Sequence, residues 1–350
     1  MRLFLLDGMA LIFRAHFAFI HNPIRNSKGI NTSALYGFAN TLLTLLDKER
    51  PSHIGVAFDT SAPTARHTLY PDYKAHRDAT PEELIAAIPH VKRLCRALNI
   101  PVIERDGYEA DDLIGTLAHR ASLQGFHTHM VTADKDFAQL VDANTVIWRP
   151  GRKGSEHDVI DLAAVQEQWQ VQEPKQVIDI LGLWGDAVDN IPGVPGIGEK
   201  TAKKLISEWH SIDNLLAHLP QIKGKLRENL ELHADQARLS RELATIWLDV
   251  PIDCSWEDLA LSPHNATELR DLLQEFEFRT LLKRFFPADP SGSDASALLA
   301  PATDELGPYD KSATSAPSPA PLRSIRDTDH DYRTATVSYT HLRAHETEAD

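Results

Sequence analysis

Three short apolar runs, residues 3–6, 54–58 and 130–133, each lead directly to an aspartate: Asp7, Asp59 and Asp134. Runs of that length and composition read as buried parallel strands, and parallel neighbours need crossover helices between them. Helical patterns near 36–46, 82–98 and 110–124 sit where such crossovers belong, and further strand-like runs cover 102–104 and 146–148. The fold class is therefore α/β, with a mostly parallel twisted sheet. In open sheets of this kind the ligand crevice lies beyond the carboxyl ends of the strands, so the three aspartates should converge on one edge.

Six more acids are placed to join them. Glu109, Asp111 and Asp112 follow Gly107-Tyr108 at the start of the third helical pattern, Asp136 closes Thr132-Ala133-Asp134-Lys135-Asp136, and Asp186 and Asp189 stand three apart. A single acid at a helix start is a cap, but three exceed what a cap needs. Two unit charges about 4 Å apart repel by roughly 4 kcal/mol at an effective dielectric near 20, so such a cluster cannot sit bare. Oxygen-only ligands point to hard divalent ions, Mg²⁺ or Mn²⁺. The 17 histidines are scattered, with no HExxH or comparable ligand spacing.

Two basic regions accompany the acids. Arg66, His67, Tyr70, Tyr73, Lys74, His76 and Arg77 alternate charge with aromatic rings, which suits a mobile element embracing a single strand. Lys74 and Arg77 share a face if that segment is helical. Further on, Gly193, Gly196, Ile197 and Gly198 open a turn into a helix carrying Lys200, Thr201, Lys203 and Lys204. Exposed backbone N–H groups followed by lysines predict a grip on duplex phosphates that is salt-sensitive and blind to base sequence. Lys223, Lys225 and Arg227 either extend that contact or form an ordinary solvated face.

The formal charge of the 350 residues is -14, which argues against nucleic acid only until the acid cluster is set aside. Cys95 and Cys254 are far apart and form neither a CxxC pair nor a disulfide framework. The apolar start reaches Asp7 too soon for a signal peptide or an anchor, so no membrane partner and a cytoplasmic location are expected. From residue 175 short helical patterns replace strands. Between 287 and 321 lie seven of the 21 prolines, marking a flexible linker, and the stretch after 324 has no apolar periodicity.

The motifs Phe58-Asp59, Arg66-His67, Tyr73-Lys74-Ala75-His76-Arg77, the run 107–112, the run 132–136 and the run 185–202 occur together and in order. In this the chain resembles the 5′-3′ exonuclease domain of bacterial DNA polymerase I, within the flap endonuclease superfamily, over residues 1–287. The resemblance implies a PIN-like nuclease domain at 1–174 and a helix-3-turn-helix (helix-hairpin-helix-like) DNA-binding domain at 175–287. It further implies a linker and disordered tail at 288–350, and a helical arch over the active site. It implies two-metal hydrolysis, with two Mg²⁺ roughly 4 Å apart and Mn²⁺ able to substitute. Substrates are DNA with a 5′ flap, nick or 5′ end, and RNA–DNA primer junctions, in primer removal and repair. Carried over by position, Asp7, Asp59, Glu109, Asp111 and Asp134 serve the central ion, and Asp112, Asp136, Asp186 and Asp189 the second. Tyr73, Lys74 and Arg77 take catalytic positions, and Lys74 and Arg77 steer the scissile phosphate. Arg66 and the residues 193, 196–198, 200, 201, 203 and 204 contact DNA, with K⁺ as the monovalent cation at the glycine turn. DNA synthesis is not expected of these 350 residues, the Pro-rich segment resembling the tether to polymerase domains in a longer chain.

Two rival readings are weaker. A phosphatase beginning with a strand and Asp-x-Asp fails because Met9 stands where its second acid belongs. A non-catalytic module that binds branched DNA is disfavoured because all nine acidic positions are filled.

Overall fold

The computed structural model describes residues 1–151 and 157–286. Strands β1 (Arg2–Asp7), β2 (His53–Ala57), β3 (Val102–Ile103), β4 (His127–Val131), β5 (Thr145–Arg149) and β6 (Asp158–Ile160) form one sheet in the order β3-β2-β1-β4-β5-β6. All neighbours run parallel except β5 and β6. Along central β1, Leu3 and Leu5 face one core while Phe4 and Leu6 face the other. Burial on both faces is why this strand reads as an unbroken apolar run. The order reverses at β1, opening a crevice beside it. Register sets Asp7 opposite Ala57 and Leu6 opposite Val131, so Asp59 and Asp134, just past the ends of β2 and β4, reach the same edge as Asp7.

The helices are α1 (Gly8–Ala18), α2 (Ser33–Glu49), α3 (Ala65–Leu69), α4 (Glu82–Ala97), α5 (Ala110–Leu123), α6 (Leu162–Trp169) and α7 (Gln176–Trp184). They continue as α8 (Glu199–Trp209), α9 (Ile212–Ala217), α10 (Gly224–Leu232), α11 (Ala234–Ala244), α12 (Trp256–Leu259), α13 (Ala266–Glu275) and α14 (Arg279–Phe285). Helices α1, α2 and α4 cover one face of the sheet, and α5 with the following helical region covers the other. Helix α1 has no counterpart in the sequence reading, because residues 8–18 are apolar on nearly every side and show no stripe. It is fixed by Asp7, which accepts from the Ala10 amide at 2.9 Å, and by Gly8, where a Cβ would lie 2.6 Å from the Phe58 ring.

Over 71–76, between α3 and α4, the expected helical arch is not helical. Helix α3 stops at Leu69 and residues 71–76 run as turns. Pro71 gives the reason: it drives Tyr70 out of the helical region, to φ -142° and ψ 100°.

Helices α7 to α11 form the expected helical region, after which the chain returns to the sheet. The Thr116 hydroxyl donates to the Trp247 carbonyl at 3.2 Å, Arg120 donates to the Val250 carbonyl at 2.7 Å, and Leu269, Leu272, Leu273 and Phe276 join the core under α2 and α4. The described residues accordingly fall in one compact unit; the last strand ends at Ile160, and position 174/175 lies between α6 and α7 within that unit. The expected linker and tail at 288–350 lie outside the described residues. Among the described residues no helix is long and apolar enough to cross a membrane.

Candidate active site

At the carboxyl edge of the sheet, Asp7 is 6% exposed and uses one oxygen to cap α1 while the other accepts from the Thr132 hydroxyl at 3.0 Å. The same hydroxyl accepts from the Asp134 amide at 3.1 Å, so one buried threonine orients both strand-end acids. Asp59 accepts from the Ala110 amide at 2.9 Å, which draws the start of α5 to the end of β2. Helix α5 then delivers Glu109 and Asp111 into the crevice. Burial first, then Asp59 and Asp134, pushes Asp7 up to about 6. Burial with Asp134, Asp7 and Glu109 holds Asp111 well above the usual carboxylate range. Burial and Asp134 push Asp136 up to about 8, although Lys135 works the other way. Asp186 and Asp189 lie within electrostatic reach of Asp136, so the acids form one continuous field with Asp134 at its centre.

The loop carrying Asp186 and Asp189 is fixed by close backbone approach. Gly185 and Gly193 have φ of 79° and 60°, and a Cβ on Gly193 would lie 2.5 Å from the Gly185 nitrogen. Only glycine serves at such a contact.

Cations rim the field. Lys74 Nζ lies 2.8 Å from Glu109 Oε1 and 3.7 Å from Asp189, Tyr73 donates to Glu109 at 3.1 Å and to Asp189 at 3.3 Å, and Arg77 pairs with Asp189. Burial opposes the Lys74 charge, but Glu109 and Asp189 outweigh it and raise the lysine. Lys135 pairs with Asp186, lies 3.7 Å from Asp136 and sits 5.6 Å from the Trp184 ring. Lys135 and Thr132 were not singled out from the sequence; the acid on either side of Lys135 was the available signal.

Two expected site residues belong elsewhere. Asp112 is fully buried, and Arg66 clasps it with both guanidinium nitrogens at 2.8 and 2.7 Å. Its oxygens also accept from the amides of Glu109 at 3.1 Å and Trp247 at 2.9 Å, which leaves little for an ion. Arg66, 2% exposed, donates as well to the carbonyls of Leu243 and Thr245 and stacks 4.7 Å from Trp247. It is therefore held as a buried clamp, with almost no surface open to DNA. Both charges exist because each satisfies the other.

The glycine turn is divided in the same way. Gly193 is buried, donating to Ser240 at 3.0 Å and accepting from Gln236 at 2.7 Å, and the Ile197 side chain is in the core. Lys203 donates to Glu199 and to the Gln168 carbonyl and lies over Trp169. Gly196, Gly198, Lys200 and Lys204 are exposed at the start of α8, with Thr201 half-buried beside them. Their surface, more than the whole motif, can meet a phosphate.

Among the described residues no three His, Cys, Asp or Glu side chains already stand as a metal-holding group; Lys74 and Lys135 lie among the acids instead. The donor set nevertheless fits hard divalent ions. It is oxygen only, burial and neighbouring acids raise the proton affinity of Asp7, Asp111 and Asp136, and Asp136 Oδ1 is buried without a hydrogen-bond partner. With Asp112 set aside, eight acids face Lys74, Arg77 and Lys135, and the excess negative charge suits doubly charged ions.

Comparison with known proteins agrees with this geometry. Residues 2–170 match the 5'-3' exonuclease N-terminal resolvase-like domain, and residues 172–267 the 5'-3' exonuclease C-terminal SAM fold. DNA polymerase I of Bacillus caldotenax is 39% identical over 85% of this chain and 33% of its own length. That of Rhizobium leguminosarum is 41% identical over 85% of this chain and 29% of its own. The chain thus spans about a third of the length of the curated relatives it matches. Among solved structures, T5 5'-exonuclease with bound divalent metal ions (zinc) has a TM-score of 0.58 at 24% identity, covering 70% of this chain and 89% of that one. The catalytic core of Rad2 in complex with DNA substrate gives 0.54 at 17%, covering 79% and 87%. Family models that together run from residue 2 to residue 267 place the chain in the 5'-3' exonuclease family.

Proposed function

We propose that this chain is a structure-selective 5′-3′ exonuclease and 5′-flap endonuclease, hydrolysing DNA and RNA primers at flaps, nicks and 5′ ends during replication and repair. Mg²⁺ is the working ion and Mn²⁺ its substitute. The observation that carries the reading is the field of oxygen donors at the ends of β1, β2 and β4, bordered by Lys74 and Arg77 on a segment rich in aromatic and basic residues.

Asp7, Asp59, Glu109, Asp111 and Asp134 would hold one ion, and Asp136, Asp186 and Asp189 the other. When bound, such ions supply positive charge at the scissile phosphate and lower the pKa of water. The chain itself supplies position. Lys74 and Arg77 present donors to the phosphate from the rim of the crevice, and Tyr73 fixes Glu109 through its hydroxyl. Thr132 keeps Asp7 and Asp134 at a fixed separation. Lys200 and Lys204, with the open start of α8, take the phosphates of downstream duplex, and the turn at Gly196 suits K⁺ there. Recognition is by shape and phosphate and not by base.

A 5′-labelled flap duplex incubated with Mg²⁺ decides the matter. The unaltered chain should cut it, Asp134→Ala should cut on the order of 10³-fold more slowly, and EDTA should stop the reaction. Tight binding with no product from the unaltered chain would favour a module that holds branched DNA without cutting it.

A further inference from the structure

The acids of the crevice come from the strand ends and the start of α5 on one side and from the loop after α7 on the other, and the lysines cross between them. Glu109, at the start of α5, and Asp189, in the loop after α7, share the Lys74 ammonium. Asp136, beyond β4, and Asp186, in that same loop, share the Lys135 ammonium. Each lysine thus stands where an ion would have to bind, and an ion with twice the charge gains more from the same oxygens.

The Lys74 side depends on these contacts to an unusual degree. The 70–77 strap has no helix to hold it, and beside the contacts of Tyr73 and Lys74 with Glu109 its anchors converge on one loop. Tyr73, Lys74 and Arg77 all reach the Asp189 carboxylate, the Lys74 amide donates to the Asp189 carbonyl at 2.9 Å, and Asn190 donates to the Asp72 carbonyl at 2.6 Å. Lys74 also has φ 58°, a left-handed conformation that an L-residue keeps only when its surroundings insist. Once Glu109 and Asp189 turn to another cation, that insistence weakens.

We propose that Lys74 and Lys135 are built-in competitors of the divalent ions: ion binding at Glu109, Asp136, Asp186 and Asp189 expels both ammonium groups and frees the 70–77 strap to engage a phosphate backbone. This rests on the metal-dependent reading of the site and adds a linkage between ion loading and strap release. Lys74 changes from a partner of the acids to a partner of the substrate, so ion and substrate binding cooperate through it.

Mn²⁺ titration by calorimetry, without DNA, tests the competition. Lys135→Met and Lys74→Met should each bind Mn²⁺ about fivefold more tightly than the unaltered chain, the worth of one partly buried ion pair. Unchanged or weaker binding in the variants overturns this inference and leaves the metal-dependent reading standing. Absence of any Mn²⁺ binding to the unaltered chain overturns both. Limited trypsin digestion of the unaltered chain needs no variant to fold: Mg²⁺ should speed cleavage after Lys74 several-fold over the EDTA-treated protein. An equal or slower rate, normalised to an unrelated substrate, overturns the strap release.

Discussion

The crevice and the glycine turn both mix lysine with backbone and acid, yet they handle charge in opposite ways. In the crevice the cations are spoken for, Lys74 by Glu109, Arg77 by Asp189 and Lys135 by Asp186, and beneath it Asp112 holds the buried Arg66. At the start of α8, Lys200 and Lys204 are exposed and have no ion pair among the described residues, while Lys203 on the same helix is tied to Glu199. A lysine or arginine in a nuclease motif is therefore not by its presence a substrate contact. What it touches decides. Chemistry needs a field whose charges are held in place, whereas a duplex grip needs charges left free to replace the counterions of phosphate.

The sharpest break in that comparison is the buried Arg66–Asp112 clamp. Removing one partner strands the other charge out of water, which costs about 3–5 kcal/mol. Arg66→Ala or Asp112→Ala should lower the unfolding free energy from urea denaturation by that amount, while Asp136→Asn, which removes a repelled acid, should not. Loss of cleavage with stability intact in Asp112→Ala would return that residue to the metal site.

Much of this was legible in the sequence. The strand-end acids Asp7, Asp59 and Asp134 could be placed because an apolar run of strand length fixes where its last residue points. The Arg66–Asp112 clamp could not, because its remaining partners, the carbonyls of Leu243 and Thr245 and the ring of Trp247, arrive from a return of the chain that no local pattern announces. The arch failed for the opposite reason. The helix there is what the resemblance implies, whereas Pro71, visible in the sequence, restricts Tyr70 to extended backbone.

A second, smaller effect tests the free charges. Lys200→Ala with Lys204→Ala should weaken flap-duplex binding about tenfold and make the slope of log K against log salt shallower by about 1.8, two phosphates' worth. The single-turnover cleavage rate of bound substrate should hold. A fall in that rate with affinity unchanged would mean that α8 orients the scissile bond and does not merely hold duplex.

The crevice, by contrast, should declare itself through pH. Asp7, held up to about 6, and Asp136, up to about 8, keep protons in the fold that unfolded aspartates release near 3.8. Between those limits the folded state binds more protons than the unfolded one, so stability in EDTA falls as pH rises from 4 to 8. Divalent ions favour the deprotonated acids, so the rise in Tm on adding Mg²⁺ should grow over the same range. Asp136→Asn should flatten the upper half of the EDTA profile; a profile unchanged by that substitution would assign the slope to other groups.

The smallest effect separates two lysines on one helix. Lys203 lies 2.6 Å from Glu199, one turn before it, donates to the Gln168 carbonyl at 2.9 Å and sits 5.0 Å from the Trp169 ring. The i,i+4 spacing of Glu199 and Lys203 was a visible sign of that pairing. Its partner Glu199 is 47% exposed on the side chain, so the pair is screened, and Lys203→Ala should cost about 0.5 kcal/mol in chemical denaturation. Because the ammonium is turned toward α6 and away from the open start of α8, the same variant should leave duplex affinity and its salt slope where they were, whereas Lys204→Ala alone should reduce the slope by about 0.9. If Lys203→Ala reduces the slope as much as Lys204→Ala, then the contact with Trp169 gives way when DNA arrives, and the difference between tied and free lysines in this turn is one of sequence of events and not of role.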